Sequence, residues 1–135
     1  MYNGVPKKRS TILVVGAVAS KELELRIAFR NDGYDVRFSG DGPCALELAQ
    51  AWQPDLVVSA GSLPDCDAVV LCSSLRTHAR PPDILIVCRN RSRYEELLDA
   101  GADDCVDLTC SLAELRARVR SRLRKVKFQP AVVLQ

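Results

Sequence analysis

Apolar residues in this chain gather in short continuous runs, separated by segments of mixed polar and apolar character. Thr11-Ile-Leu-Val-Val15 is one such run and stops at Gly16, the pattern of a strand buried on both faces. Beyond it, Ser20 suits an N-cap, Leu23, Ile27 and Phe29 alternate with charges, and Gly33 suits the glycine that follows a helix. Residues 34–39 predict a second, half-exposed strand. A helix is predicted over 41–52, with Ala45, Leu46, Leu48, Ala49 and Trp52 apolar, and Pro54 prevents its continuation. Strand three is predicted over 55–60 and helix three over about 68–76. Pro81-Pro82 launches strand four, 84–88, and a short helix over about 92–100 ends at Gly101 before strand five, 104–107. Ser111-Leu-Ala-Glu114 reads as a capping box, in which each of the two polar side chains satisfies a backbone N–H. It opens a last helix with Leu112, Leu115, Val119 and Leu123 at near-helical spacing.

Five β-α units in alternation require a parallel sheet with helices on both faces. Right-handed crossovers restrict the strand order, and 2-1-3-4-5 is the common solution for five strands. Its switch point lies between strands one and three, whose C-terminal ends are Gly16-Ala17 and Ala60-Gly61. Ligands and chemistry in such α/β sheets sit at that crevice, yet these tips carry no carboxylate and no base.

A length of 135 residues fits one domain, and 47% hydrophobic with 27% charged residues is an ordinary globular composition. A net charge of +2 is too small to argue for nucleic-acid or membrane binding by the whole domain. No apolar run approaches the ~20 residues of a membrane span. The start, MYNGVPKKRS, is charged but has no apolar segment of signal-peptide length behind it, so a cytoplasmic location is expected. The six cysteines form no C-x-x-C pair, and His78 is the single histidine, which argues against zinc. Reduced thiols acting as small apolar residues are the plain reading.

The motifs ILVV, GYDVRFSGDGPCALELA, PDLVV followed by LP, AGADD and ELRARVRSRLRK stand in one order along the chain. Together they resemble the receiver domains of two-component response regulators, from about Thr11 to Lys125. The resemblance implies a flavodoxin-like (βα)5 fold that takes a phosphoryl group onto an aspartate with help from Mg²⁺. It also implies where the chemistry ought to be. The acidic pair after strand one corresponds to Gly16 and Ala17, the phosphorylated aspartate to Ala60, and the Ser or Thr at the end of strand four to Cys88. The lysine after strand five corresponds to Leu108, the proline behind it to Thr109, and the switch aromatic to Cys105.

Phosphoryl transfer needs a nucleophile, a metal to neutralise oxygens, and a cation to hold the acyl phosphate. Mg²⁺ is bound through carboxylates or substrate phosphates. The expectation is therefore a pseudo-receiver with no catalytic residue, no Mg²⁺ and no cofactor, and not an enzyme. Removing clustered acids also removes repulsion on the order of a few kcal/mol per close pair, so the pocket suits an unliganded state. Ser59 and Ser62 flank Ala60 without an activating base, and Asp65 and Asp67 read as solvated turn residues. VVGAVASKE after strand one fails the phosphate-loop pattern, since Ser20 replaces the second glycine and Glu22 the Ser or Thr.

Cys88 and Cys105 occupy the two switch positions, with Cys110 nearby, so a redox switch is an alternative to simple space filling. Arg116, Arg118, Arg120, Arg122, Arg124, Lys125 and Lys127 spread around the last helix instead of forming a stripe. They read as a solvated face, with no direct nucleic-acid contact. In relatives with winged-helix domains, helix four, strand five and helix five form a two-fold dimer through charge pairs. Asp104 and Arg118 match one pair; Glu114 matches half of a second, whose basic partner is Tyr94 here, with Arg93 beside it. The chain is thus divided into an N-terminal extension, 1–10, a receiver-like domain, 11–125, and a tail, 126–135. The tail is expected to begin a linker to an effector domain, a DNA-binding one by the last-helix motif, with a diguanylate cyclase or another output domain as the alternative, acting through a protein partner or a homodimer.

Overall fold

A computed structural model of the chain describes residues 9–18 and 21–127. The predicted N-cap Ser20, residues 1–8 of the extension and 128–135 of the tail lie outside the described residues. The elements are β1 (Thr11–Val15), α1 (Glu22–Asn31), β2 (Asp35–Ser39), α2 (Gly42–Trp52), β3 (Leu56–Ala60), α3 (Ala68–Leu75), β4 (Asp83–Cys88), a 3-10 turn (Arg91–Arg93), α4 (Tyr94–Ala100), β5 (Asp104–Asp107) and α5 (Leu112–Lys127). All strand pairs are parallel and the order is β2-β1-β3-β4-β5. The doubly wound α/β architecture is as predicted.

Local chemistry sets the boundaries. Asp41 accepts the Cys44 N–H at 2.8 Å and caps α2, with Pro43 in the first turn, where its missing N–H costs nothing. Asp67 caps α3 in the same way through the Val69 N–H at 2.9 Å. Gly33 takes φ +90° after α1, a conformation that glycine adopts without strain. Ser111 Oγ accepts the Glu114 N–H at 3.0 Å, but the return half of the box is replaced: the Glu114 carboxylate turns to Arg118 instead.

The sheet carries apolar side chains on both faces. One layer packs β-strand residues such as Leu13, Val57 and Ile86 with α2, α3 and α4. The other packs Ile12, Val14, Val58 and Val87 with α1 and α5. In α1 the buried residues are Leu25, Ala28 and Phe29, whereas Leu23 and Ile27 are 69% and 54% exposed. Two of the three predicted apolar positions of that helix thus face outward, because Leu25 and Phe29 form the buried stripe four residues apart. Helix α5 runs to Lys127, two residues beyond the predicted domain edge. Among the described residues no helix is long and apolar enough to cross a membrane.

Candidate functional site

The C-terminal ends of β1 and β3 lie side by side, with Val15 paired to Ser59. Gly16 follows at φ +78°, and its N–H donates to Ser39 O at 2.8 Å. A Cβ on Gly16 would stand 2.5 Å from Leu63 Cδ2 and 3.3 Å from Ala60 Cβ. The Leu63 side chain therefore lies across the place where the resemblance puts two carboxylates. Ala60 is 6% exposed, and Leu108 packs against the same core layer. Ser59 is fully buried and donates to Ala60 O at 2.9 Å, so its hydroxyl is spent on the backbone.

Cys88 ends β4, as expected, and Val87 before it is in register with Ala60 and shares its layer. Cys88 points to the opposite layer, where a Cβ on Gly61 would meet its Sγ at 3.0 Å. Successive strand residues face opposite sides, so Val87 and Cys88 enter different layers. Neither residue brings a hydroxyl to the site.

In front of these tips is an open cleft of about 730 Å³, lined by Gly16, Ala17, Glu22, Arg26, Phe38, Ser39, Ser62 and Leu63 among others. Its carboxylate, Glu22, pairs with Arg26 at 2.9 Å. The Arg26 guanidinium in turn lies 4.1 Å over the Phe38 ring. Lys21 Nζ donates to Cys110 O at 3.2 Å, tying the segment before α1 to that before α5. Among the described residues no group of three or more His, Cys, Asp and Glu is placed to hold a metal ion. Asp67, expected to be a solvated turn residue, instead caps α3 and binds Arg93.

Cys88 and Cys105 do share a layer, together with Cys72. Strand β4 places Ile86, two residues before Cys88, opposite Cys105. Burial pushes the Cys105 thiol up to about 11 and the Cys72 thiol up to about 12. Cys110 is also raised by burial. Thiols held protonated at neutral pH are poor nucleophiles, which favours space filling over redox chemistry.

The expected dimer residues meet within one chain. Arg118 Nη1 lies 3.2 Å from Asp104 Oδ2, and its Nη2 lies 3.3 Å from Glu114 Oε2. Tyr94 has Arg91 above its ring at 5.9 Å, while Arg93 is turned inward. The arginines of α5 do spread around the axis, but not all are merely solvated. Arg116 Nε donates to Asp32 at 3.0 Å, and Arg122 approaches Asp83 at 3.4 Å. No local pattern signals these pairs, since the partners lie far apart in sequence.

Residues 12–120 match the response regulator receiver domain family. Among curated proteins the chain is similar to the DNA-binding response regulator MtrA of Mycolicibacterium paratuberculosis, 35% identical over 127 residues, which is 93% of this chain and 56% of that protein. It is likewise 35% identical over 120 residues to the response regulator MprA of Mycobacterium ulcerans, covering 87% of this chain and 52% of the relative. The chain thus spans about half the length of these relatives. Among solved structures, a CheY-like receiver domain protein from Methanospirillum hungatei superposes with a TM-score of 0.81 at 17% identity, covering 91% of this chain and 100% of that one; it shares the fold. Family match, strand order and the position of the cleft at the β1–β3 switch point lead to one conclusion: the chain belongs to the response regulator receiver domain family.

Proposed function

We propose that this receiver domain accepts no phosphoryl group and regulates through protein contact. The observation that carries the reading is the hydrocarbon filling of the pocket. Leu63 lies over Gly16 and Ala60, with Leu108 packed in the same layer. A phosphoryl group placed there would meet no metal-binding carboxylate pair and no lysine, and alanine has no atom to attack it. Incubating the chain with acetyl phosphate and Mg²⁺ and weighing it intact tests the reading: an unchanged mass is expected, and one added phosphoryl group would end it.

The relatives MtrA and MprA are named as response regulators, MtrA as a DNA-binding one. Their greater length supports an output domain, DNA-binding in kind, on the natural protein of this chain. Control of that output would pass through the face of α4, β5 and α5. Asp104, Glu114 and Arg118 cluster there, and exchange of a same-chain ion pair for an equivalent pair across a two-fold axis is nearly neutral in charge energy. Such pairs select register and partner more than they add affinity. Sedimentation of Arg118→Asp checks this contact. We expect a shift toward monomer at a concentration where the parent chain dimerises; an unchanged dimer would exclude the face.

A further inference from the structure

One side chain joins the tip of β3 to the start of α4. Arg93 ends the 3-10 turn, and its side chain is 20% exposed. Its Nη1 donates to Gly61 O at 3.1 Å, its Nε to Glu96 at 2.8 Å, and its Nη2 to the Asp67 carboxylate. Gly61 is the residue after Ala60, Asp67 is the cap of α3, and Glu96 lies in the first turn of α4. The three acceptors thus belong to the β3 tip, the α3 start and the α4 start.

Two of the three acceptors are themselves held. Gly61 is tied to β4, because its N–H donates to Val87 O at 3.0 Å. Asp67 is fixed by the Val69 N–H at 2.9 Å. Burial would raise the Asp67 carboxyl, but the Val69 N–H and the Arg93 guanidinium overcome that and hold it below its ordinary value. Exposed ion pairs contribute little. This guanidinium differs: it bonds a backbone carbonyl at a part-buried site as well as two carboxylates, and it is planar and pre-organised for several acceptors at once.

We propose that Arg93 is a built-in clamp, which fixes the β4–α4 segment and α4 against the emptied β3 tip without a phosphoryl group. The inference rests on the reading that the pocket takes none. It makes the position of α4 a property of the sequence instead of a response to a signal.

Hydrogen exchange on the whole 135-residue chain tests it. In Arg93→Ala, amides 94–100 should exchange about tenfold faster or more, with the amides of β1 and β2 unchanged. Arg93→Lys should recover only a minor part of the protection, since an ammonium lacks the fork. Wild-type exchange across 94–100 in Arg93→Ala would overturn the clamp, and so would an equal rise throughout the domain. If Arg93→Ala does not fold, Asp67→Asn combined with Glu96→Gln removes the two charged acceptors from exposed residues, keeps a capping side chain at 67, and is judged by the same criteria. The acetyl phosphate experiment runs beside it on the parent chain. A phosphorylated product would overturn the pocket reading by itself, whereas unprotected α4 amides in an unmodified chain would overturn the clamp by itself.

Discussion

The tips of β1 and β3 and the N-terminal edge of the sheet treat carboxylates in opposite ways. At the C-terminal edge, Gly16, Ala17, Ala60 and Leu108 present hydrocarbon and backbone, with Leu63 lying across them. At the N-terminal edge, Asp55, Asp83 and Asp103 crowd together with Arg76 around a surface hollow of about 680 Å³. Asp55 accepts the Thr11 N–H at 2.9 Å and its hydroxyl at 3.2 Å, and Asp103 accepts the Ile84 N–H at 2.8 Å. Those carboxylates terminate strands by satisfying backbone donors that would otherwise be lost to the solvent boundary. Acids clustered at the β1 and β3 tips would, without a metal, only repel one another. The difference teaches that acids stand here where the fold itself consumes them, and are absent where only a phosphate and its metal would.

Asp83 is the least comfortable member of the crowded edge. Its Oδ2 is buried with no hydrogen-bond partner, and Arg122 attracts it from 3.4 Å without the alignment of a hydrogen bond. Burial, with the neighbouring Asp103 carboxylate adding to it, pushes the Asp83 carboxyl up to about 6. Arg122 also donates to Asp103 O at 3.4 Å, so α5 is stapled to this edge at two points.

The contrast is best broken at Asp55. Replacing it with Ala strands the Thr11 N–H and hydroxyl, and should cost ~2–3 kcal/mol of unfolding free energy, read by urea denaturation. A loss under about 0.5 kcal/mol would mean that the carboxylates of this edge do not hold the strands. At the emptied edge, Gly16→Ala should cost ~1–2 kcal/mol, because φ +78° disfavours a side chain and Leu63 must move aside. Gly40→Ala is the control, since nothing lies within 4 Å of its Cβ position and its φ is not in the left-handed region; it should change stability by no more than about 0.5 kcal/mol.

The smallest effect concerns proton uptake. The folded Asp83 carboxyl titrates near 6, and its ordinary value is 3.8. A raised folded value means that the folded state takes up the proton first on acidification. The contribution of Asp83 is therefore fully present below about pH 4 and is lost as pH rises through about 6. Asp83→Asn should raise Tm by a few degrees at pH 7.5, about 1 kcal/mol, and the gain should vanish by pH 4. A pH-independent difference between the two proteins would mean that repulsion at this edge is not what burdens Asp83.

Much of this was written in local residue order. The apolar runs marked the strands, Asp41, Gly33 and Gly101 marked helix ends, and the residue types at 16, 17, 60 and 108 already lacked the chemistry that the resemblance assigns to them. These are statements about composition at single positions, and folding does not alter them. Leu63 was the hidden part of the site, because its role depends on a chain reversal bringing it back over Gly16.

The sequence alone determined the element order, the doubly wound sheet and the absence of acids at the β1 and β3 tips, since hydrophobic period and capping are local properties. Tertiary structure decided which side each residue takes. It sent Val87 and Cys88 into different layers, turned Leu23 and Ile27 of α1 outward, and made staples of Arg93, Arg116 and Arg122. The physical reason is the same in each case: a strand reverses its facing with every residue, a helix offers more than one apolar stripe, and a long cationic side chain finds its partner only after distant segments have packed.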